Sequence, residues 1–144
     1  MNQNDIYRII DANLNRSREG LRVCEEIVRF GLSSGALTKE LKSVRHAVSL
    51  IAKKHYKKTG ALSSARNSTG DVGRVSKKPS EMRRSDTGDI FTANVQRVKE
   101  SLRVLEEFYK LLDKKTSTRF SHLRFQVYEI ERKTSKRIEA LRNN

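Results

Sequence analysis

A nineteen-residue segment occurs twice in this chain, and that duplication constrains the fold more than any other feature. Residues 12–30 read ANLNRSREGLRVCEEIVRF and residues 93–111 read ANVQRVKESLRVLEEFYKL, with nine identical positions at an offset of 81. Further on, TKELKSVR (residues 38–45) matches STRFSHLR (residues 117–124) at an offset of 79. Two matched segments in the same order predict one supersecondary unit used twice, each copy burying its apolar face on the other.

Each copy reads as a pair of helices. Ile10, Leu14, Leu21, Cys24 and Val28 recur at helical spacing and predict a helix from about Ile6 to Leu32. Val23, Ile27 and Phe30 widen its apolar stripe. Residues 31–35, GLSSG, form a turn signal, and Thr38 is the expected N-cap of a second helix reaching about Lys58 through Leu41, Val44, Val48 and Ile51. In the second half Ile90–Leu112 and Ser117–Leu141 repeat the plan, with Phe120, Leu123, Val127, Ile130 and Ile138 inside. Phe108, Tyr109, Phe125 and Tyr128 are expected in the core as well, and so is Cys24, which aligns with Leu105. Strand signals are almost absent. The expectation is one all-α domain over residues 1–144, a four-helix bundle of two duplicated hairpins with pseudo-two-fold symmetry. Repeat one covers about 6–58, a long irregular loop 59–88, and repeat two about 89–142.

Charge narrows the partners. The chain carries 31 Lys+Arg against 17 Asp+Glu, a formal +14. Between Lys53 and Arg84 ten bases face two acids, so +8 sits in under a quarter of the length. Such a balance calls for an anionic partner: nucleic acid, anionic lipid or a phosphorylated small molecule. No run of 18 apolar residues is present, so no membrane span is expected. The N-terminus lacks the pattern of a secretory signal, and the single cysteine cannot close an intramolecular disulfide. A cytoplasmic protein is the expectation.

The repeat and the loop carry the candidate chemistry. Asn13 and Arg16 lie three apart on one helix face, as do Asn94 and Arg97, with the small residues Gly20 and Ser101 a turn further on. Such a stripe, present in both copies, can meet itself across a pseudo-two-fold and form one composite site. Arg22 with Glu25 or Glu26, and Arg103 with Glu106 or Glu107, read instead as ordinary helix-surface ion pairs. The loop holds the only proline, Pro79, and the sequences RNSTGDVGR (residues 66–74) and PSEMRR (residues 79–84). Its Gly70 and Gly73 let backbone N–H groups turn toward an anion that Arg66, Arg74 and Arg84 can clamp, while Asp71 and Glu81 can hold Mg²⁺. A solvated basic loop explains the same residues equally well. Walker and GxGxxG motifs are absent, and no pair among His46, His55 and His122 has metal-ligand spacing.

Four of these segments in order, RIIDANLNRSREGLRVCEE (8–26), RNSTGDVG (66–73), PSEMRRSD (79–86) and TANVQRVKESLRVLEE (92–107), resemble the small helical hydroxymethylpyrimidine phosphate kinases of bacterial thiamine biosynthesis. That family is distinct from the ribokinase-like kinases and is often fused to the N-terminus of thiamine phosphate synthase. Arg45-His46-Ala47 departs from the resemblance, which has Arg-His-Asp there; no synthase domain follows Asn144, so a stand-alone form is the expectation. The resemblance implies ATP- and Mg²⁺-dependent phosphorylation of 4-amino-5-hydroxymethyl-2-methylpyrimidine phosphate to its diphosphate. An acceptor phosphate is already ionised at neutral pH, so the site needs cations rather than a general base. Arg16, Arg97 and Arg66 are the expected catalytic cations. Arg74 and Arg84, with Gly70 and Gly73, are expected to bind phosphate, and Asn13 and Asn94 to orient the substrate. Asp71 and Glu81 are the expected metal ligands.

Two other functions compete. A basic helical nucleic-acid binder fits the charge, but not the recurrence of Asn, Arg and Glu at fixed helical positions, and no helix-turn-helix or zinc-finger motif is present. A non-catalytic partner module of thiamine phosphate synthase, acting in trans, is the other. Broad apolar faces in a small duplicated bundle also suggest a homodimer.

Overall fold

The computed structural model describes residues 1–60 and 84–143. Four long helices account for nearly all of them: α1 (Gln3–Glu26), α2 (Gly35–Thr59), α3 (Thr87–Tyr109) and α4 (Lys114–Arg142). One turn of π-helix, Ile27–Gly31, extends α1, and no strand occurs among the described residues. Each helix starts on a side chain that satisfies otherwise unpaired N–H groups. Asn2 and Asp5 form a reciprocal capping box, with both hydrogen bonds at 2.9 Å. Asp86 and Asp113 cap α3 and α4. The α2 cap is Ser34, not the expected Thr38. The Thr38 hydroxyl instead donates to the Ser34 carbonyl from within the first turn, so the helix begins four residues earlier than Thr38 suggests. Gly60 ends α2 in the left-handed conformation (φ 61°).

Neighbouring helices run in the cyclic order α1–α2–α4–α3, with α1 and α3 the most extensive pair and α2 against α4 the lightest. The core is the expected stripe: Ile10, Leu14, Leu21, Cys24 and Val28 from α1 meet Leu41, Val44 and Val48 of α2 and Phe120, Leu123, Val127 and Ile130 of α4. α3 adds Phe91, Val95, Val98, Leu102 and Leu105. Each such side chain removed from water contributes roughly 1.5–3 kcal/mol against the entropy of ordering. Three aromatics expected inside are outside. Phe30, Phe125 and Tyr128 stand one or two residues out of phase with Val28 and Val127, and are exposed. Guanidinium groups cover them instead: Arg29 over Phe30, and Arg124 over Phe125, each 4.9 Å from the ring centroid.

α1 and α3 are antiparallel, because Gly20 lies against Asn94 and Val98 while Cys24, further along α1, lies against Phe91. Of the repeated polar residues on this pair, Arg16 and Arg97 are exposed, Asn94 is half-buried and Asn13 is buried.

Candidate functional site

At the α1–α3 seam the expected close approach is present. A methyl group added to Gly20 would stand 3.1 Å from the Asn94 carbonyl oxygen and 2.7 Å from Val98 Cγ2. A helix advances 1.5 Å per residue, so Arg16 and Arg97 project within about one turn, roughly 5 Å, of each other along the axes. Both are exposed, and Arg16 lies one turn before Gly20 on the same face of α1. Neither makes an ion pair among the described residues.

The other duplicated arginines behave differently. Arg22 reaches Glu26 (3.3 Å) and Glu25 (3.6 Å), and Arg103 reaches Glu107 (3.1 Å) and Glu106 (3.6 Å); the partners match the sequence expectation, but Glu25 and Glu106 are buried rather than on the surface. Arg45 of α2 pairs with buried Glu25 at 3.2 Å, and Arg124 of α4 with buried Glu106 at 3.1 Å. Each hairpin thus closes on the same clamp, at equivalent repeat positions. Of the arginine positions identical in both copies, Arg22/Arg103 and Arg45/Arg124 are paired with acids, and Arg16/Arg97 is the one with no ion pair among the described residues.

Asn13 and Asn94 keep their helical positions by bonding down their own helices. Each donates Nδ2 to the carbonyl four residues earlier, Ile9 and Ile90, both at 2.8 Å. That accounts for an asparagine inside a helix and leaves each amide oxygen without a hydrogen bond from the described residues. Arg84 is exposed and precedes α3, whose first residue, Thr87, stands about 15 Å along the axis from Arg97. Arg66, Gly70, Asp71, Gly73, Arg74 and Glu81 lie outside the described residues. Cys24 is core, as expected: burial and Glu131 push its thiol up to about 12.

Two groupings escape a sequence reading. Asp11, buried on α1, accepts a hydrogen bond from the Tyr56 hydroxyl of α2 (3.0 Å), which in turn accepts one from Arg18 (3.3 Å). Burial and the Asp11 carboxylate hold the Tyr56 phenol above its ordinary range. Glu19 and Glu100, three residues on from Arg16 and Arg97, are exposed acids at one repeated position, detectable only as identities in the repeat.

The fold and this face define a class: a basic four-helix bundle with a sequence repeat, whose α1–α3 pair carries exposed guanidinium groups without an ion pair among the described residues. Within it, the ThiD2 family model matches residues 8–133, and the chain belongs to the ThiD2 family. Among curated proteins it is 43% identical over 129 residues to a thiamine-phosphate synthase of Nostoc punctiforme, covering 90% of this chain and 35% of that protein. It is 42% identical over 126 residues to one of Thermosynechococcus vestitus, covering 88% and 34%. A thiamine-phosphate synthase of Gloeobacter violaceus is 38% identical over 126 residues, 88% of this chain and 35% of the relative. The chain therefore spans about a third of the length of these relatives. No solved structure matches it. No helix among the described residues is long and apolar enough to cross a membrane.

Proposed function

We propose that this chain is a cytoplasmic kinase of thiamine biosynthesis, which transfers the γ-phosphoryl group of ATP to 4-amino-5-hydroxymethyl-2-methylpyrimidine phosphate to give the diphosphate. Family membership and thiamine-phosphate synthase relatives support the pathway. The observation that carries the activity is the Arg16–Arg97 pair, two exposed guanidinium groups without acid partners on helices that meet at Gly20.

The chemistry asks little more of the protein than that. The attacking oxygen belongs to a phosphate monoester and is already ionised, so the barrier is the repulsion of two polyanions. Arg16 and Arg97 fit phosphate oxygens through their forked N–H groups and lower that repulsion most where charge builds up on the transferring group. The free amide oxygens of Asn13 and Asn94 accept hydrogen bonds from the amino group of a pyrimidine. Arg66, Arg74 and Arg84, with the amides of Gly70 and Gly73, supply further phosphate contacts from the connecting segment.

Mg²⁺, bound with ATP, spreads the negative charge of the β- and γ-phosphates. It takes most of its ligands from phosphate and water and needs only one or two carboxylates. Exposed Glu19 and Glu100 on the same helices fit that donor chemistry, beside Asp71 and Glu81, the ligands expected from the sequence.

A second reading is favoured by length: relatives named thiamine-phosphate synthase are about three times as long as the matched segment. On that reading the chain is a non-catalytic partner module of a synthase. An ADP-release assay with purified protein, ATP, Mg²⁺ and the pyrimidine monophosphate separates the two. Stoichiometric ADP and pyrimidine diphosphate are expected. No ADP above background from folded protein ends the kinase reading, and co-elution with a synthase would then support the module.

A further inference from the structure

Away from the Arg16–Arg97 face, a cavity of about 750 Å³ opens at the end of the bundle, between the last turns of α2 and the α3–α4 corner. Its size is that of a small-molecule site. One wall is aromatic: the His55 ring stands edge-on between Tyr7 and Tyr109, 5.5 Å from each centroid, at 84° and 71°. Leu50, Ile51 and Leu112 continue that wall as an apolar surface.

The rim is cationic. Lys54, Lys58, Lys115 and Arg119 line it, and none of the four makes an ion pair among the described residues. The single carboxylate in the lining, Asp113, is committed to capping α4, accepting from the Lys115 amide (3.2 Å) and the Thr116 hydroxyl (2.6 Å). Four cations thus face one engaged acid, next to the positive end of α4. Two polar atoms in the wall also lack partners. His55 Nε2 and Tyr109 Oη are buried without a hydrogen bond, on side chains only 7% and 4% exposed. Leaving such atoms unpaired is costly and is tolerated where a ligand completes them.

We propose that this cavity binds a phosphorylated aromatic heterocycle, its ring against Tyr7, His55 and Tyr109 and its phosphate among Lys54, Lys58, Lys115 and Arg119. A bare anion leaves the apolar wall without a role, and an uncharged aromatic makes no use of the cationic rim. Tyr7 lies nine residues before Arg16, about 14 Å along α1, so the cavity is distinct from the seam and does not depend on the kinase reading.

Titration calorimetry of the full chain carrying Arg16→Ala and Arg97→Ala, which removes the guanidinium groups of the seam, with AMP, the pyrimidine monophosphate and inorganic phosphate tests it, the two heterocycles distinguishing a nucleotide from a pyrimidine source. At least one heterocycle is expected to bind tenfold or more tightly than inorganic phosphate. Adding Lys58→Ala and Arg119→Ala, both at exposed positions, to that chain should weaken the binding at least tenfold. The imidazole NMR signals of His55, assigned through His55→Gln, should shift in the wild-type protein on adding the same ligand. Binding no tighter than phosphate, binding that survives the added Lys58→Ala and Arg119→Ala substitutions, or unmoved His55 signals would each overturn the proposal.

Discussion

Gly20 of α1 lies so close to the Asn94 carbonyl of α3 that a methyl group on its α-carbon would sit 3.1 Å from that oxygen and 2.7 Å from Val98 Cγ2. The contact sets the spacing of the two helices and brings the repeated arginines to one seam. Alanine gains about 1 kcal/mol of helix propensity over glycine, whereas overpacking costs roughly 1–3 kcal/mol. The backbone oxygen cannot move aside without moving its helix, so Gly20→Ala should be destabilising by about 1 kcal/mol, a fall of several degrees in Tm. Its counterpart Ser101, whose hydroxyl only donates to the Val98 carbonyl of its own helix (2.9 Å), should tolerate Ala nearly unchanged. Thermal melts followed by circular dichroism measure both. A more stable Gly20→Ala protein would mean that the helices separate freely.

The core was readable because periodicity reports burial: Ile10, Leu14, Leu21, Cys24 and Val28 all lie within 1% exposure. Residue type without phase misled at Phe30, Phe125 and Tyr128. The α2 start was misplaced because several residues between Ser33 and Thr38 have cap chemistry, and only backbone geometry selects Ser34. The paired Asn and Arg positions of the seam stood out because duplication prints them twice. The cavity left no such mark. Its walls come from the start of α1, the ends of α2 and α3 and the start of α4, positions that no spacing links until the bundle assembles.

The Glu25–Arg45 and Glu106–Arg124 clamps join the two helices of each hairpin. Removing the acid leaves a mostly buried guanidinium without its counter-charge, a loss of several kcal/mol for a fully buried pair. The Arg45 side chain keeps 18% exposure and Arg124 11%, so Glu25→Ala and Glu106→Ala should each cost about 2–3 kcal/mol in urea denaturation at unchanged m-value. A loss below about 0.5 kcal/mol would reduce the clamps to surface pairs.

His55 makes stability fall on the acid side of neutrality. Burial and the Lys58 charge lower its pKa from the usual value near 6.5, Asp11 opposes them, and Tyr7 and Tyr109 are the other titratable groups against its ring. A folded-state pKa below the unfolded one means that the unfolded chain takes up the proton first. The stabilisation from neutral His55 is therefore complete above about pH 6.5 and is lost as pH drops toward the folded-state value. His55→Gln should flatten the Tm profile between pH 5 and 7 relative to wild type. An unchanged slope would show that the ring accepts a proton in place.

Arg16 and Arg97 are the residues whose loss should separate activity from stability. Both are exposed and neither holds an ion pair among the described residues, so Arg16→Ala and Arg97→Ala should shift stability by no more than about 0.5 kcal/mol. If they grip the transferring phosphoryl, turnover in the ADP-release assay should fall by about 10²–10⁴-fold in each variant, in line with losing one preorganised cation at a phosphoryl transition state. Lysine keeps the charge but not the two-pronged geometry, so Arg97→Lys should recover only part of the rate. Because the two side chains address one substrate, the double variant should lose far less than the product of the single losses. Full multiplicativity would mean that they act at independent places, and wild-type turnover in either single variant would remove that arginine from the site.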